Sequence, residues 1–120
     1  MIVDAAMNDL IRPTLYDAFH DIRPVEEPGP HTPRLVADVV GPVCETGDYL
    51  ALARDLPMVK PGDLIAIMTT GAYGAVTANT YNSRLLIPEV LVKNEGHAVI
   101  RPRPSYDDLI GLDQMPAWLS

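Results

Sequence analysis

Twelve prolines and eight glycines are spread along 120 residues. Proline lacks the backbone donor that a helix interior needs, and glycine gives the chain too much freedom to hold one. At this density the two residues cut the chain into short pieces and leave little room for long helices. The expectation is a mainly β fold of short strands joined by closely spaced turns. At this length one hydrophobic core can form but not two, so residues 1–120 are read as a single domain.

Charge narrows the partners. The chain carries a net charge of −7, with only nine Lys and Arg residues, and these are scattered. Binding to nucleic acid or to an anionic membrane needs a basic patch, so neither is expected. No apolar run approaches the roughly 18 to 20 residues of a membrane span. Asp4 and Asp9 stand where a secretory signal would place basic and then apolar residues. A single cysteine excludes an internal disulfide and is compatible with a reducing compartment, so a cytoplasmic location is expected.

Along the chain, residues 1–4 read as the end of a strand that begins upstream, so the sequence is expected to start inside a longer protein. Leu10, Ile11, Leu15, Ala18 and Phe19 approximate helical spacing, and Pro13 suits the first turn of a short helix over residues 14–19. If that turn is helical back to Arg12, then Arg12 and Tyr16 share a face at i and i+4. The plain alternative is a solvated arginine with a half-buried tyrosine. Strands are expected over residues 21–27, 34–40, 49–54, 64–68, 85–92 and 97–101. The 49–54 run is apolar at neighbouring positions rather than alternating, and 64–68 reads as covered on both faces. Turns are expected over residues 28–33 and 56–63, and Asn94-Glu95-Gly96 marks a hairpin. Ser105 reads as the cap of a helix through Leu112, with Asp107 and Asp108 in its first turn. Trp118 and Leu119 are expected to pack against something.

Two stretches carry candidate chemistry. Gly41-Pro42-Val43-Cys44-Glu45-Thr46-Gly47-Asp48 places the thiol beside a carboxylate directly after the best strand of the chain. Site residues are often held this way, at the end of a rigid element. A lone cysteine is equally read as a small buried hydrophobe. In the second stretch, Gly71-Ala72-Tyr73-Gly74, the glycines would let backbone come close to a bound group, or would mark a bulged strand. Cys44, His20, His31 and His97 are far apart in sequence, so no metal site is expected. There is no local signature of a cysteine–histidine nucleophile pair and no phosphate-cradling glycine loop.

Cys44-Glu45-Thr46-Gly47-Asp48, with Gly71-Ala72-Tyr73-Gly74-Ala75 downstream and Met7-Asn8-Asp9-Leu10-Ile11-Arg12-Pro13-Thr14-Leu15-Tyr16 upstream, resembles the C-terminal part of the diaminopimelate decarboxylases. These are pyridoxal 5'-phosphate enzymes of the alanine racemase and ornithine decarboxylase fold type. The three blocks stand in that family's order and at about its spacing, and the likeness runs from Val3 to Trp118. It implies a Greek-key-like β-barrel domain with short flanking helices, belonging to a longer enzyme whose N-terminal (β/α)8 barrel carries the cofactor lysine.

The resemblance also implies roles. Cys44 would return a proton to the substrate carbon after carbon dioxide leaves, Glu45 would hold the distal amino group, and Arg12 and Tyr16 would bind the distal carboxylate. Tyr73 would contact cofactor and substrate. Cys44 and Glu45 would reach across a homodimer interface into the partner's active site. The chemistry is coherent on its own terms. A thiol with a pKa of about 8.5 is largely protonated at neutral pH yet acidic enough to give its proton up. A carboxylate binds an ammonium group, and a guanidinium grips a carboxylate in two-pronged fashion.

Thr46 stands where the family often has serine, and an aspartate follows the cysteine in ornithine decarboxylases, so Glu45 favours diaminopimelate. The lysines, Lys60 and Lys93, fall at a turn and at a strand end, neither in a setting that would desolvate an amine. The 120 residues alone are therefore expected to be inactive and to self-associate through an edge that a missing strand would cover. Two alternatives stand beside this reading. One is the same fold type acting on another amino acid, such as ornithine, arginine or a carboxynorspermidine precursor. The other is a stand-alone β-barrel binding module without catalysis.

Overall fold

Residues 34–40 alternate in burial, with Leu35, Ala37 and Val39 turned inward and Arg34, Val36 and Asp38 outward. That period of two builds strand β2, Arg34–Val40, at the centre of the fold. The computed structural model describes residues 1–119. They fall into two compact units, one from Met1 to Ala78 and one from Asn79 onward.

The first unit holds helix α1 (Arg12–Tyr16), β1 (Ile22–Pro24), β2, β3 (Tyr49–Pro57), β4 (Ile65–Ile67) and helix α2 (Gly71–Thr77). β2 pairs antiparallel with β3, and β1 with β4. The chain start lies beside β2 as a strand end would. Val3 donates its N–H to the Val40 carbonyl and Val40 donates to the Met1 carbonyl, both at 2.9 Å. Leu10, Ile22, Val39, Leu50, Ala51 and Leu56 form the buried core, with Val3, Ala5, Ile65 and Ile67 packed on it.

Pairing between β2 and β3 is not uniform. Ala37 faces Arg54 and Val39 faces Ala51, so Asp38 stands opposite two residues of β3. Ala53 takes a φ of 46°, and its N–H donates to Asp38 Oδ1 at 2.7 Å. A second shift follows, in which Val39 faces Ala51 and Val40 faces Tyr49, so Leu50 is an extra residue; this resets the alternation and leaves Leu50 and Ala51 buried in succession.

The second unit opens with a 3-10 turn at Tyr81–Ser83, followed by the hairpin of β5 (Glu89–Lys93) and β6 (Gly96–Arg101). Asn94, at φ 54°, takes the left-handed conformation of its tight turn. Glu89 and Arg101 close the open end with an ion pair of 2.5 Å. Val90, Leu91, Val92, Val99 and Ile100 of the hairpin are all exposed. Helix α3 (Tyr106–Ile110) begins with a capping box. Ser105 Oγ accepts the Asp108 N–H at 3.1 Å, and Asp108 Oδ2 accepts the Ser105 N–H at 2.8 Å. The Ser105 hydroxyl, and then the Ser105 N–H, hold the Asp108 carboxyl below the usual carboxylate range.

The class is therefore mainly β with a few short helices. The strands form three two-stranded ladders, and no closed barrel appears among the described residues. Proline sets several ladder ends: β1 stops at Pro24, β3 at Pro57, and β5 begins only after Pro88. Four local expectations change. The first helix starts at Arg12 and stops at Tyr16, because Asp17 turns left-handed at φ 53°. Gly71-Ala72-Tyr73-Gly74, read as a place of close backbone approach or a bulged strand, lies in helix α2. Leu64 is 71% exposed, so the 64–68 run is not covered on both faces. Trp118 is 81% exposed and Leu119 also faces solvent, so the expected packing of the tail does not form. No helix among the described residues is long and apolar enough to cross a membrane.

Candidate active site

After β2 the chain must turn back into β3, and residues 41–48 do this as a tight closed loop. Gly41 donates its N–H to the Asp48 carbonyl at 3.1 Å, which pinches the neck. Within the loop Glu45 N–H reaches the Val43 carbonyl at 2.9 Å, and Asp48 N–H reaches the Glu45 carbonyl at 3.1 Å. Closed by these bonds, the loop turns Cys44, Glu45 and Thr46 out to solvent. Cys44 is a free, exposed thiol, not a small buried hydrophobe. The Glu45 carboxylate accepts from Thr46 Oγ1 at 3.0 Å and from the Gly47 N–H at 3.2 Å, which steers it back along the loop.

Asp48 holds this loop to its surroundings. Its side chain is only 5% exposed, and both carboxylate oxygens accept backbone donors: Met7 N–H at 2.7 Å and Val43 N–H at 2.6 Å. Charge-assisted bonds of this kind are stronger than neutral ones. Only glycine fits opposite. A Cβ at Gly41 would stand 2.5 and 2.6 Å from the Asp48 carboxylate oxygens and 2.7 Å from the Ala5 carbonyl.

Helix α1 lies against the same loop. Pro13 occupies its first turn, where a missing N–H costs nothing, and is buried. Thr14 Oγ1 donates to the Gly47 carbonyl, and a Cβ at Gly47 would sit 2.8 Å from the Thr14 methyl. Leu10, just before α1, meets α2. Gly74 of α2 is buried, with room for no more than a tight Cβ 3.2 Å from Leu10 Cδ1. This close approach brings the Tyr73 ring beneath the Arg12 guanidinium, 5.5 Å from its centroid.

The structure thus gathers the five expected residues on three neighbouring pieces of the first unit. Cys44 and Glu45 ride the loop, Arg12 and Tyr16 ride α1, and Tyr73 rides α2. Arg12 is half-buried, whereas Tyr16 is 64% exposed and Tyr73 70% exposed, the reverse of a solvated arginine beside a half-buried tyrosine. The cleft lined by Glu26, Glu27, Met58 and Asp63 contains none of the five. Sequence reasoning missed Asp48 and Thr14, reading the first as turn punctuation and the second as a helix residue.

Tyr73 offers an exposed ring, but Lys60 and Lys93 are both exposed, and neither is a buried amine that could anchor an aldehyde cofactor. Among the described residues no group of three or more His, Cys, Asp or Glu side chains could hold a metal ion.

Residues 1–71 match the family described as "Pyridoxal-dependent decarboxylase, C-terminal sheet domain". Over 119 residues, 99% of this chain, the sequence is 53% identical to the diaminopimelate decarboxylase of Zymomonas mobilis, but it covers only 28% of that protein. The crystal structure of diaminopimelate decarboxylase from M. jannaschii in complex with L-lysine superimposes with a TM-score of 0.89 at 38% identity, covering 99% of this chain and 27% of that one. The enzyme from Helicobacter pylori, also complexed with L-lysine, gives 0.83 at 45% identity, over 92% of this chain and 27% of its own. The chain spans little more than a quarter of the length of these relatives. With more than half of its residues matched, the chain belongs to the pyridoxal-dependent decarboxylase family and corresponds to its C-terminal sheet domain.

Proposed function

We propose that residues 1–120 are the C-terminal domain of a diaminopimelate decarboxylase, which releases carbon dioxide from meso-diaminopimelate to give L-lysine. The observation that carries this reading is the stitching of three elements by Thr14 to Gly47, Asp48 to Met7 and Arg12 to Tyr73. It gathers a thiol, a carboxylate and a guanidinium, the groups a substrate with an amine and an acid at its far end requires. The relatives' names and their lysine complexes support the same substrate class.

In this reading the distal end of the substrate is held twice. Arg12 binds the distal carboxylate with Tyr16 beside it, and the Glu45 carboxylate pairs with the distal ammonium. Tyr73 keeps the guanidinium in place and would touch pyridoxal 5'-phosphate, while the lysine anchor and the phosphate site belong to the rest of the enzyme, a (β/α)8 barrel. When bound, the cofactor supplies the electron sink that tolerates the pair left as the carbon–carboxylate bond breaks. Cys44 then acts as the acid: its S–H bond breaks, the proton passes to the carbon that lost carbon dioxide, and the thiolate recovers a proton from water.

That Cys44 and Glu45 face outward supports their serving an active site built by other residues. We infer a homodimer in which each copy of the loop enters its partner's site, in the cytoplasm where biosynthetic decarboxylases of this kind work. The Greek-key barrel would close when strands from the remainder of the protein cover the open ladder edges. The test is a pair of measurements with pyridoxal 5'-phosphate. The 120-residue chain should neither develop a cofactor absorbance nor release carbon dioxide from diaminopimelate, and the full-length enzyme should do both. Decarboxylation by the short chain, or a full-length enzyme that ignores diaminopimelate, would overturn the proposal.

A further inference from the structure

We propose that Asp48 is a positioning residue for the decarboxylation, fixing the height and direction of the Cys44-Glu45 loop. The inference rests on the functional reading above. Three observations carry it. Asp48 is buried beneath the loop and not at its exposed tip. Its Oδ2 accepts the N–H of Val43, the residue immediately before Cys44, and its Oδ1 accepts the N–H of Met7, in the segment that runs into α1. The backbone opposite is cut back to glycine at position 41, so that the carboxylate can lie against it.

One side chain therefore ties the thiol-bearing loop to the segment leading into the arginine-bearing helix. The loop has a second tether, from Thr14 to Gly47, on the far side of Cys44 from Val43. Two anchors, one either side of the Cys44-Glu45-Thr46 tip, define where the thiol stands relative to Arg12. With only the Thr14 anchor left, the tip could pivot. A thiol that must meet a single substrate carbon loses rate steeply with such a displacement, about a hundredfold for roughly 1 Å.

Asparagine at position 48 keeps the shape but replaces one acceptor oxygen with an amide N–H₂. Either the Val43 or the Met7 N–H then faces a donor instead of an acceptor. The experiment uses the full-length decarboxylase carrying this segment, with Asp48→Asn, Asp48→Glu, Cys44→Ala and a core control, Leu56→Val. Leu56 is buried in β3 and outside the candidate site.

For Asp48→Asn the expected result is a fall in kcat of about a hundredfold, with a smaller rise in KM for diaminopimelate, because Glu45 moves with the loop while Arg12 still holds the distal carboxylate. Leu56→Val, compared at a matched drop in Tm, should keep its kcat. Asp48→Glu should recover part of the loss, since it restores two acceptor oxygens. If Asp48→Asn lowers Tm no more than the control and keeps kcat within about twofold, a span well under 1 kcal/mol, the positioning role is overturned while the functional reading stands. Failure of both Asp48 variants to fold would assign Asp48 to stability alone and would also overturn it. If Cys44→Ala retains full kcat, the functional reading falls and the positioning role falls with it.

Discussion

The guanidinium of Arg12 lies over the ring of Tyr73, 5.5 Å from its centroid, although 61 positions separate them in the sequence. The contact exists because Gly74 lets α2 approach Leu10 closely. An arginine that would otherwise sweep through solvent is held over an aromatic face, with its fork of donors available for a carboxylate.

Removing that fork should weaken substrate binding. In the full-length enzyme, Arg12→Ala is expected to raise KM for diaminopimelate by about tenfold to a hundredfold, the value of a charge-assisted hydrogen-bonded pair. Tyr73→Leu should produce a smaller rise through loss of the stacked ring. Steady-state kinetics on the two variants gives the comparison directly.

Cys44→Ala should act on the other parameter. In the proposed roles Cys44 is the acid and the distal contacts lie elsewhere, so kcat is expected to drop by about a hundredfold to ten-thousandfold while KM moves little. Carbon dioxide release under saturating diaminopimelate is the measurement. An unaltered kcat would exclude the thiol as proton donor.

Gly41→Ala should destabilise the first unit. The added methyl meets the Asp48 carboxylate at 2.5 and 2.6 Å and the Ala5 carbonyl at 2.7 Å. Overpacking of this kind costs about 1 to 3 kcal/mol. Urea unfolding of the wild-type and variant proteins should show a lower midpoint with an unchanged slope.

The capping box of α3 makes a pH prediction. Hydrogen bonds from Ser105 depress the folded-state pKa of Asp108 below its unfolded value. A depressed carboxylate contributes stability that is present above the unfolded pKa and is lost as the pH falls through the folded one. The first turn of α3 should therefore lose the capping contribution as the pH falls below the unfolded carboxylate value. Ser105→Ala should return the Asp108 titration towards the ordinary carboxylate range, as followed by NMR of its side-chain carbonyl carbon.

Trp118 offers a simple optical check. It is the single tryptophan, and 81% of it is exposed. Its emission in the 120-residue chain should be red-shifted and readily quenched by acrylamide. A blue-shifted, protected tryptophan in that chain would contradict the exposed tail.

Much of this was legible in the residues themselves. β2 falls on residues 34–40 as expected, and Ser105 caps the helix whose first turn holds Asp107 and Asp108. The hairpin turns at Asn94. Two features were not legible, each for a physical reason. Helix α2 hid behind Gly71 and Gly74, which weaken helices locally. Here Gly74 is selected by tertiary contact with Leu10, and no local propensity reports that contact. The role of Asp48 was invisible because its partners are backbone N–H groups, which every residue type has. The thiol and the acid beside it could be singled out by type, whereas the side chain steadying them from below could be found only from coordinates.

A lone outward sulfhydryl also governs how this polypeptide behaves on the bench. Air oxidation can join two copies through Cys44 and must then stop, since neither has another sulfur to offer as a thiol. A covalent pair seen on a non-reducing gel, and abolished by dithiothreitol, would come from that chemistry alone. Any association surviving reductant reports the non-covalent faces of the fold.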